Sequence, residues 1–292
     1  MQENENTEIK IINPYNFNNK LINKHNIHNI FSEYGLEDFD IKDLSLYQNS
    51  FVHKSYCIKK EEDMQEGVVL AEKPEGALEL QNRSNERLEY LGDSVLNLVV
   101  AKYLYERYPE QEEGFMTKLR TKIVCGETLG KLAKDIGFAE YILMSRHVEE
   151  RCNGRESKRI LEDIFEAFIG ALFLDFNDNY NSNENILDYT GPGFQICELF
   201  LINIIESKID FTELVLTDNN YKDQLLRHFQ QKYQQTPSYK ELMVEGPPHD
   251  RIFTMVVVDH TGEVIGEAKG KSKKKAEQLA SKTALIKLEL IK

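Results

Sequence analysis

The sequence predicts a mostly α-helical N-terminal domain followed by a small α+β domain with the element order αβββα. Apolar residues recur at helical spacing in two long N-terminal segments, residues 85–98 and 160–174. Near the C-terminus, three short strand-like runs lie between two helical ones. A chain of 292 residues with 41% hydrophobic residues is long enough to bury the cores of two modest domains.

The N-terminal residues are rich in Asn and Ile and lack the basic-then-apolar order of a signal peptide. We expect residues 1 to about 20 to be a disordered or loosely held arm. No uninterrupted apolar stretch is long enough to cross a bilayer, so we expect no membrane partner. The cysteines show no paired metal-ligand spacing and are interpreted as reduced thiols: Cys57, Cys125, Cys152 and Cys197. We therefore expect an intracellular, cytoplasmic protein, with the nucleus left open.

The segment 85–96 predicts a helix with two distinct faces. At about 100° per residue, Glu86, Glu89 and Asp93 fall within one narrow stripe. The opposite face is apolar and consists of Leu88, Leu91, Val95 and Leu98. Taken alone, this pattern is equally typical of an amphipathic helix whose acidic face is solvated.

A second apolar segment, residues 160–174, carries Asp163 and Glu166 three residues apart. Carboxylates within so apolar a run are costly to bury unless they are paired or bind a cation. Two acidic stripes on facing core helices would form an all-oxygen site, which suits Mg²⁺ or Mn²⁺ rather than zinc or copper. The second segment therefore favours a metal site over a merely solvated acidic face.

The C-terminal domain is predicted element by element. A helix begins at Tyr221, and Thr236 and Pro237 close the loop behind it. Strand-like runs follow at 238–245, 252–259 and 263–269, with a hairpin at 260–262. The last helix starts near Ser272, its expected N-cap, and its first turn holds Lys273, Lys274 and Lys275. Because cations at a helix N-terminus oppose the helix dipole, we expect these lysines to face a polyanion, although Lys275 and Lys282 fit ordinary solvated positions equally well.

The charge of the chain is divided unevenly between the two domains. The net charge is −13 overall, but residues 218–292 hold 13 Lys and Arg against 10 Asp and Glu, a net +3. Residues 1–217 hold 23 basic against 39 acidic residues, a net −16. This division predicts that the C-terminal domain binds the polyanion. Part of the negative charge of residues 1–217 belongs to the predicted metal site.

Three segments together resemble the ribonuclease III family of double-stranded RNA endonucleases. They are residues 85–96, which match the family signature almost letter for letter, residues 113–120, and residues 161–167. Residues 51–56 are similar to an early helix motif of the family, in which we interpret His53 as a packed structural residue. The C-terminal elements independently resemble the double-stranded RNA-binding domain. The resemblance implies a ribonuclease III-like helical endonuclease fold followed by an αβββα double-stranded RNA-binding domain.

The resemblance also implies which residues form the active site. Glu89, Asp93, Asp163 and Glu166 would bind Mg²⁺, with Mn²⁺ as a substitute and no small-molecule cofactor. Glu86 and Glu113 stand at two further catalytic positions, those of the acids that line the valley in which RNA is cut. No carboxylate of the catalytic set is therefore missing.

The same resemblance implies partners. Gln224 and His249 would contact successive minor grooves of double-stranded RNA, and Lys271, Lys273 and Lys274 would span the phosphates between them. The family is homodimeric, and Tyr90 would insert into the partner subunit. Ordinary core packing of Tyr90 is the alternative role.

The implied function is metal-dependent cleavage of both strands of double-stranded RNA by phosphodiester hydrolysis. The products would carry 5′ phosphates and short 3′ overhangs, and the reaction would serve RNA processing or degradation. Two alternatives use the same domains without cutting: a protein that only binds and sequesters double-stranded RNA, and a dimerising processing factor.

We expect an N-terminal extension at 1–21, an endonuclease domain at 22–210, a linker at 211–217 and a double-stranded RNA-binding domain at 218–292. Two stretches depart from the compact family pattern as insertions, at 57–84 and 175–193. Loops of this length are uncommon unless they are functional or disordered, and either could lie beside the RNA. Phe115 also departs from the family, in which a small acid is frequent there.

Overall fold

The computed structural model describes residues 10–58, 68–177, 191–216, 220–247 and 250–291. The chain divides into two compact units, Met1–Phe211 and Thr212–Lys292. The division falls at the start of the region expected to be a linker, where the structure instead has a short helix, Phe211–Leu216.

The first unit is helical, as predicted. Its helices are α1 (Lys24–Glu33), α2 (Leu44–Ser50), α3 (Glu86–Arg107), α4 (Glu113–Ile123), α5 (Gly126–Asp135), α6 (Arg146–Cys152), α7 (Lys158–Asn177) and α8 (Gly193–Lys208), and α9 is the short helix at the boundary. A parallel pair of short strands, β1 (Lys10–Ile12) and β2 (Val68–Leu70), lies outside the helical core.

Helix α7 runs through the centre of this unit. Phe168, near its middle, packs against four aromatic rings from three other segments: Tyr47, Phe51, Phe138 and Phe200. Each fully buried ring of this size contributes about 1.5 to 3 kcal/mol relative to an exposed one. The predicted acidic helix is therefore also the hydrophobic centre of its domain.

Two glycines let α3 and α7 touch through their backbones. A Cβ atom added to Gly92 of α3 would lie 1.7 Å from the carbonyl oxygen of Glu166. One added to Gly170 of α7 would lie 2.2 Å from the carbonyl oxygen of Leu88. No other residue fits this contact, which places Glu89 and Asp93, on either side of Gly92, directly beside α7.

The buried face of helix α3 coincides only in part with the predicted one. Leu88 and Val95 are buried as expected, but Leu98 is 58% exposed. The close contact at Gly92 turns the helix so that Val99, rather than Leu98, faces the core. As a result, the acidic stripe lies at the edge of the contact between α3 and α7 and not on a distant solvated face.

The N-terminal segment is not a loose arm where the structure describes it. Strand β1 pairs with β2 from Lys10↔Val68 to Ile12↔Leu70. Asn16 is 4% exposed, and its Nδ2 donates to the carbonyl oxygen of Met144 at 3.1 Å. Asn19 donates to the same oxygen at 3.0 Å. Asparagines can be buried here because their amides satisfy a backbone group, so the expectation for residues 10–20 was wrong. Residues 1–9 lie outside the described residues.

Part of the first predicted insertion is folded. Strand β2 belongs to it, and the hydroxyl of Tyr56 donates to the carbonyl oxygen of Leu78 at 2.8 Å. Leu78 and Leu80 pack against the buried Val52, Tyr56 and Leu143. Residues 59–67 of the insertion lie outside the described residues.

The second predicted insertion begins inside α7. Asp175 is buried in that helix and accepts hydrogen bonds from the backbone nitrogens of Lys42 and Asp43 and from the hydroxyl of Tyr47. This carboxylate therefore fixes the start of α2, a role that the Asn- and Asp-rich composition of the stretch conceals. Residues 178–190 lie outside the described residues.

The second unit has the predicted order αβββα. It consists of α10 (Tyr221–Tyr233), β3 (Ser238–Glu245), β4 (Ile252–Val258), β5 (Val264–Gly270) and α11 (Lys273–Lys287). The strands form an antiparallel sheet in the order β3-β4-β5. Its core contains Leu225, Phe229, Val257, Ile265, Ala280, Ala284 and Leu285. Ser272 caps α11, since its hydroxyl accepts from the backbone nitrogen of Lys275 at 3.2 Å.

All four cysteines are free thiols. In the described parts of the chain, no helix combines the length and the apolar character that crossing a bilayer requires.

Candidate active site and nucleic-acid interface

The acidic side chains of α3 and α7 meet at one seam between these helices. Glu89 and Asp93 come from α3, and Asp163 and Glu166 come from α7. The charges of the other three carboxylates all act on Glu166 and raise its pKa. The structure therefore brings together the four residues predicted to bind metal.

Glu166 is the most buried acid of the seam. It is 8% exposed, and within the described ranges no hydrogen bond or ion pair reaches its carboxylate. Burial, followed by the charges of Asp93 and the neighbouring acids, raises the pKa of Glu166 to about 8. Such a carboxylate lacks the positive partner that would offset the cost of burying its charge.

Glu89 and Asp163 share this environment to a lesser degree. Burial raises the pKa of both carboxyls, and the charge of Asp163 raises that of Glu89 further. Arg159, one turn before Asp163 on α7, opposes both shifts with its positive charge. Arg159 is therefore a cation at the edge of the seam that the sequence motifs did not indicate.

The two remaining predicted acids differ in position. Glu86 accepts hydrogen bonds from the hydroxyl of Ser84 at 3.0 Å and from Nζ of Lys54 at 3.2 Å, which lower its pKa. Its charge also raises the pKa of Glu89, so it borders the seam. Glu113 is the first residue of α4, and its carboxylate accepts from the hydroxyl of Thr117 at 2.7 Å. The described contacts of Glu113 thus stay within its own helix.

The chemistry of the seam fits a divalent cation. Its donors are carboxylate oxygens, which Mg²⁺ and Mn²⁺ prefer. The pKa values of Glu89, Asp163 and Glu166 are raised first by burial and, for Glu89 and Glu166, further by the charges of neighbouring acids. The side chains do not form a finished coordination shell. Among the described residues, no group of three or more His, Cys, Asp or Glu is spaced to hold a metal ion.

Sequence reasoning missed a further acid, Glu162. Its Oε2 lies against the start of α5, 2.2 Å from where a Cβ of Gly126 would be. Burial and the charge of Asp163 raise the pKa of Glu162, and Asp93 contributes as well. The spacing of Glu162 and Glu166, one full helical turn apart, was the available signal. Asp163 and Glu166, three residues apart, form the more evident acidic pair on the same helix.

Tyr90 lies on the outer face of α3 and is 80% exposed. The exposed Leu98 and Tyr105 fall on the same face of this helix at about 100° per residue. The core-packing alternative for Tyr90 is therefore wrong. An exposed row of large apolar side chains is typical of an interaction surface.

His53 has a structural role. It is the N-cap of a 3₁₀ turn, and its Nδ1 accepts from the backbone nitrogen of Ser55 at 3.2 Å. Burial lowers the pKa of its imidazole. This agrees with the interpretation of His53 as a packed residue.

In the second unit, the predicted phosphate-binding lysines gather near the start of α11. Lys273 is its first residue, with Nζ 2.8 Å from Oε2 of Glu241. Lys271 precedes the helix, with Nζ 3.6 Å from Oδ1 of Asp250. Lys274 forms no ion pair with any residue that the structure describes. His249 lies outside the described residues.

Gln224 is placed apart from these lysines. It lines a groove of about 430 Å³ together with Arg227, His228, Gln231, Leu285 and Leu290. Leu285 is twelve residues beyond Lys273 on α11, which corresponds to about 18 Å along the helix axis. The structure thus separates the predicted minor-groove residue from the lysines.

Comparisons with known proteins match both units. A family model described as ribonuclease-III-like matches residues 43–182, and one described as a double-stranded RNA binding motif matches residues 221–288. A ribonuclease 3 of Listeria welshimeri is 36% identical over 250 residues, which cover 86% of this chain and 93% of that protein. A probable ribonuclease 3 of Acanthamoeba polyphaga mimivirus is 36% identical over 282 residues, 94% of this chain, but the chain spans only 48% of that protein. The nuclease domain of ribonuclease III from Campylobacter jejuni aligns with 63% of this chain and 99% of its own, at 30% identity and a TM-score of 0.44.

Proposed function

The chain belongs to the ribonuclease III family and is a double-stranded RNA endonuclease, and from this premise we propose how it cuts. Each duplex is hydrolysed on both strands, leaving 5′ phosphates and short 3′ overhangs. The family is one of metal-dependent nucleases, and the metal proposed for this chain is Mg²⁺, with Mn²⁺ as a substitute.

The observation that carries this proposal is the uncompensated carboxylate of Glu166. It is buried beside Asp93 and Glu89 across a backbone contact that only Gly92 permits. Purely structural acids in protein cores are paired or hydrogen-bonded, because an isolated buried charge is costly. An acid that is held in place without either partner is suited to a cation that arrives with the substrate or from solution.

Glu89, Asp93, Asp163 and Glu166 would hold the metal. A bound divalent cation supplies a Lewis acid that activates water and offsets the charge that develops on a scissile phosphate. The protein contributes the spacing of the acids, set by the α3–α7 backbone contact, and a partly buried surrounding that strengthens their electrostatic effect. No serine or histidine nucleophile is required.

The cations that border the seam have a separate role in this proposal. Lys54, which donates to Glu86, and Arg159, which acts on Glu89 and Asp163, keep part of the acidic charge compensated before RNA binds. They also lower the electrostatic barrier to a polyanionic substrate at an acidic surface. The residues that we assign to catalysis are Glu86, Glu89, Asp93, Glu113, Asp163 and Glu166.

The second unit binds double-stranded RNA. We assign the phosphate contacts to Lys271, Lys273 and Lys274 and the minor-groove contacts to Gln224 and His249. The exposed start of α11 supports the assignment of the lysines, because an A-form duplex offers its phosphates at the surface.

We also propose a homodimer, in which each subunit cuts one strand. Its support is the exposed apolar row on α3 that contains Tyr90, Leu98 and Tyr105. Replacing Tyr90 with Ala should shift the dimer equilibrium towards monomer in sedimentation velocity. Unchanged sedimentation over a range of concentrations would contradict this assignment of Tyr90.

The metal site is tested with Glu166→Gln, which removes a carboxylate while nearly preserving its shape. A labelled RNA duplex is incubated with each protein in Mg²⁺ or in EDTA, and binding is measured in parallel by gel shift. We expect Glu166→Gln to bind normally and to lose cleavage by orders of magnitude. The matched control is Glu150→Gln, which removes an exposed acid of α6 that pairs with Arg146. Normal cleavage by Glu166→Gln in Mg²⁺ would show that the metal site has been misplaced.

A further inference from the structure

Several basic side chains around the proposed RNA-binding surface are already paired with acids of their own unit. The lysine–carboxylate pairs that the structure describes in the second unit include Lys222–Glu277 at 2.6 Å, Lys269–Glu245 at 2.7 Å, Lys271–Asp250 at 3.6 Å and Lys273–Glu241 at 2.8 Å. Two of these lysines, Lys271 and Lys273, are assigned to RNA phosphates. The surface that must receive a polyanion therefore carries carboxylates at contact distance from its cations.

The pair of Lys273 and Glu241 is the better defined of the two. Glu241 lies on β3, and Lys273 opens α11, so the pair joins the sheet to the helix. Nζ of Lys273 also lies 5.9 Å from the ring centroid of Phe253 on β4. The side chains of Lys273 and Glu241 keep 61% and 38% of their surface exposed, so a phosphate can reach the ammonium without a rearrangement of the fold.

A phosphate that binds the same ammonium brings a second negative charge close to the carboxylate. Two hydrogen-bond lengths place phosphate and carboxylate oxygens on the order of 5 Å apart, where like charges repel. RNA must either displace Glu241 from Lys273 or bind against this repulsion. The same reasoning applies to Asp250 and Lys271.

We propose that Glu241 and Asp250 limit the affinity of the second unit for RNA by competing with phosphates for Lys273 and Lys271. This inference rests on the proposed phosphate contacts of these two lysines. The competing acids disfavour isolated anions, which reach one lysine at a time. A duplex, whose regularly spaced phosphates engage several lysines together, overcomes both acids in one binding event. Glu241 and Asp250 would thus contribute to the selection of duplex RNA.

The test is a double-mutant cycle in the full chain with Glu241→Gln, Lys273→Ala and the combined variant. Affinity for a labelled RNA duplex is measured in EDTA, which prevents cleavage, at several salt concentrations. We expect Glu241→Gln to tighten binding by a factor of about 1.4 to 5, the range for an exposed ion pair. In the Lys273→Ala background the same change should have no effect. Asp250→Asn and Lys271→Ala form a second, independent cycle.

The matched control is Glu263→Gln. Glu263 pairs with Lys287 at 3.3 Å, at the far end of α11, and this lysine has no assigned phosphate contact. The control removes the same charge as Glu241→Gln and should leave affinity unchanged.

Four kinds of result would overturn the inference. Weaker binding by Glu241→Gln would mean that the acid orients Lys273 instead of competing for it. Equal tightening in both backgrounds, or equal tightening by the control, would mean that only total charge matters. If Lys273→Ala itself leaves affinity and salt dependence unchanged, the phosphate contact proposed for Lys273 fails as well. If Lys273→Ala weakens binding as expected but Glu241→Gln leaves affinity unchanged, the phosphate contact of Lys273 stands and only the proposed competition by Glu241 is refuted.

Discussion

Replacing Gly92 with Ala should disrupt the seam without changing any charge. The added Cβ would lie 1.7 Å from the carbonyl oxygen of Glu166 and 2.7 Å from the backbone nitrogen of Gly170. Ordinary Cβ contacts begin near 3.4 Å, so α3 and α7 would have to separate by about 1.7 Å. Both obstructing atoms belong to a helix backbone and have no rotamer through which to move away.

The cost of this substitution can be estimated from the contact. Overpacking a core costs about 1 to 3 kcal/mol, and a clash with rigid backbone belongs at or above the upper end. A loss of about 3 kcal/mol lowers the Tm of a domain of this size by roughly 6 to 12 °C. Displacing acids by about 1 Å is also sufficient to reduce cleavage on the order of 100-fold.

Thermal unfolding and duplex cleavage measure the two effects in the same samples. The matched control is Gly114→Ala in α4, where an added Cβ meets nothing within 4 Å. We expect the stability of this control to stay within about 1 kcal/mol of the parent, since Ala is the better helix former. The reasoning is refuted if Gly92→Ala melts within about 2 °C of the parent and cleaves normally.

Three further predictions concern stability. Because the pKa of Glu166 is raised from 4.5 to about 8 by folding, the unfolding free energy in EDTA should fall as the pH rises through this window, and Glu166→Gln should flatten the profile. Asn16→Ala should cost about 1 to 3 kcal/mol in urea unfolding by removing a buried hydrogen bond, whereas the exposed Asn29→Ala should cost little. Asp175→Ala should cost about 3 kcal/mol or more, because two backbone nitrogens and a hydroxyl lose their acceptor; a Tm equal to that of the parent would contradict its assigned role.

Short-range sequence patterns were sufficient to predict the secondary structure of the second unit. The limits of β3, the αβββα order of the elements along the chain and the cap at Ser272 were all predicted correctly. Turn residues, strand alternation and N-caps act over a few positions, so a short window of sequence contains the information. The ion pairs that hold Lys271 and Lys273 could not be predicted this way, because Asp250 and Glu241 approach them only in the folded sheet.

The orientation of α3 shows where periodicity is insufficient. This helix has two apolar faces, one containing Val95 and Val99 and the other containing Tyr90 and Leu98. A helical wheel cannot tell which face meets the core. The choice depends on Gly92, whose missing side chain allows α7 to approach on one side only. A glycine within an apolar helix is thus better evidence of the packed face than a leucine.

The four acids predicted to bind metal could be found from the sequence because their motifs are local, whereas the electrostatic roles of the neighbouring Arg159 and Glu162 depend on packing. Glu89, Asp93, Asp163 and Glu166 stand at fixed spacings within two helices that meet. Arg159 and Glu162 stand one helical turn from Asp163 and Glu166 on the same helix, but their effect on the acids depends on how α7 packs against α3 and α5. The Asn-rich composition of the N-terminal segment predicted a loose arm, but Asn16 is buried there. Its hydrogen-bond acceptor, Met144, lies 128 residues away in sequence, so local composition could not indicate the contact.

The anchoring of the N-terminal segment has a consequence for the order of events during synthesis. Asn16 leaves the ribosome long before Met144, the residue that supplies its hydrogen-bond acceptor. At about 5 to 20 residues per second, the ribosome needs roughly 6 to 26 s to make the intervening chain. Strand β1 likewise waits for β2. The part of the described chain that is translated first therefore cannot complete its native contacts until residue 144 has been made, and until then its polar backbone is open to chaperones and proteases.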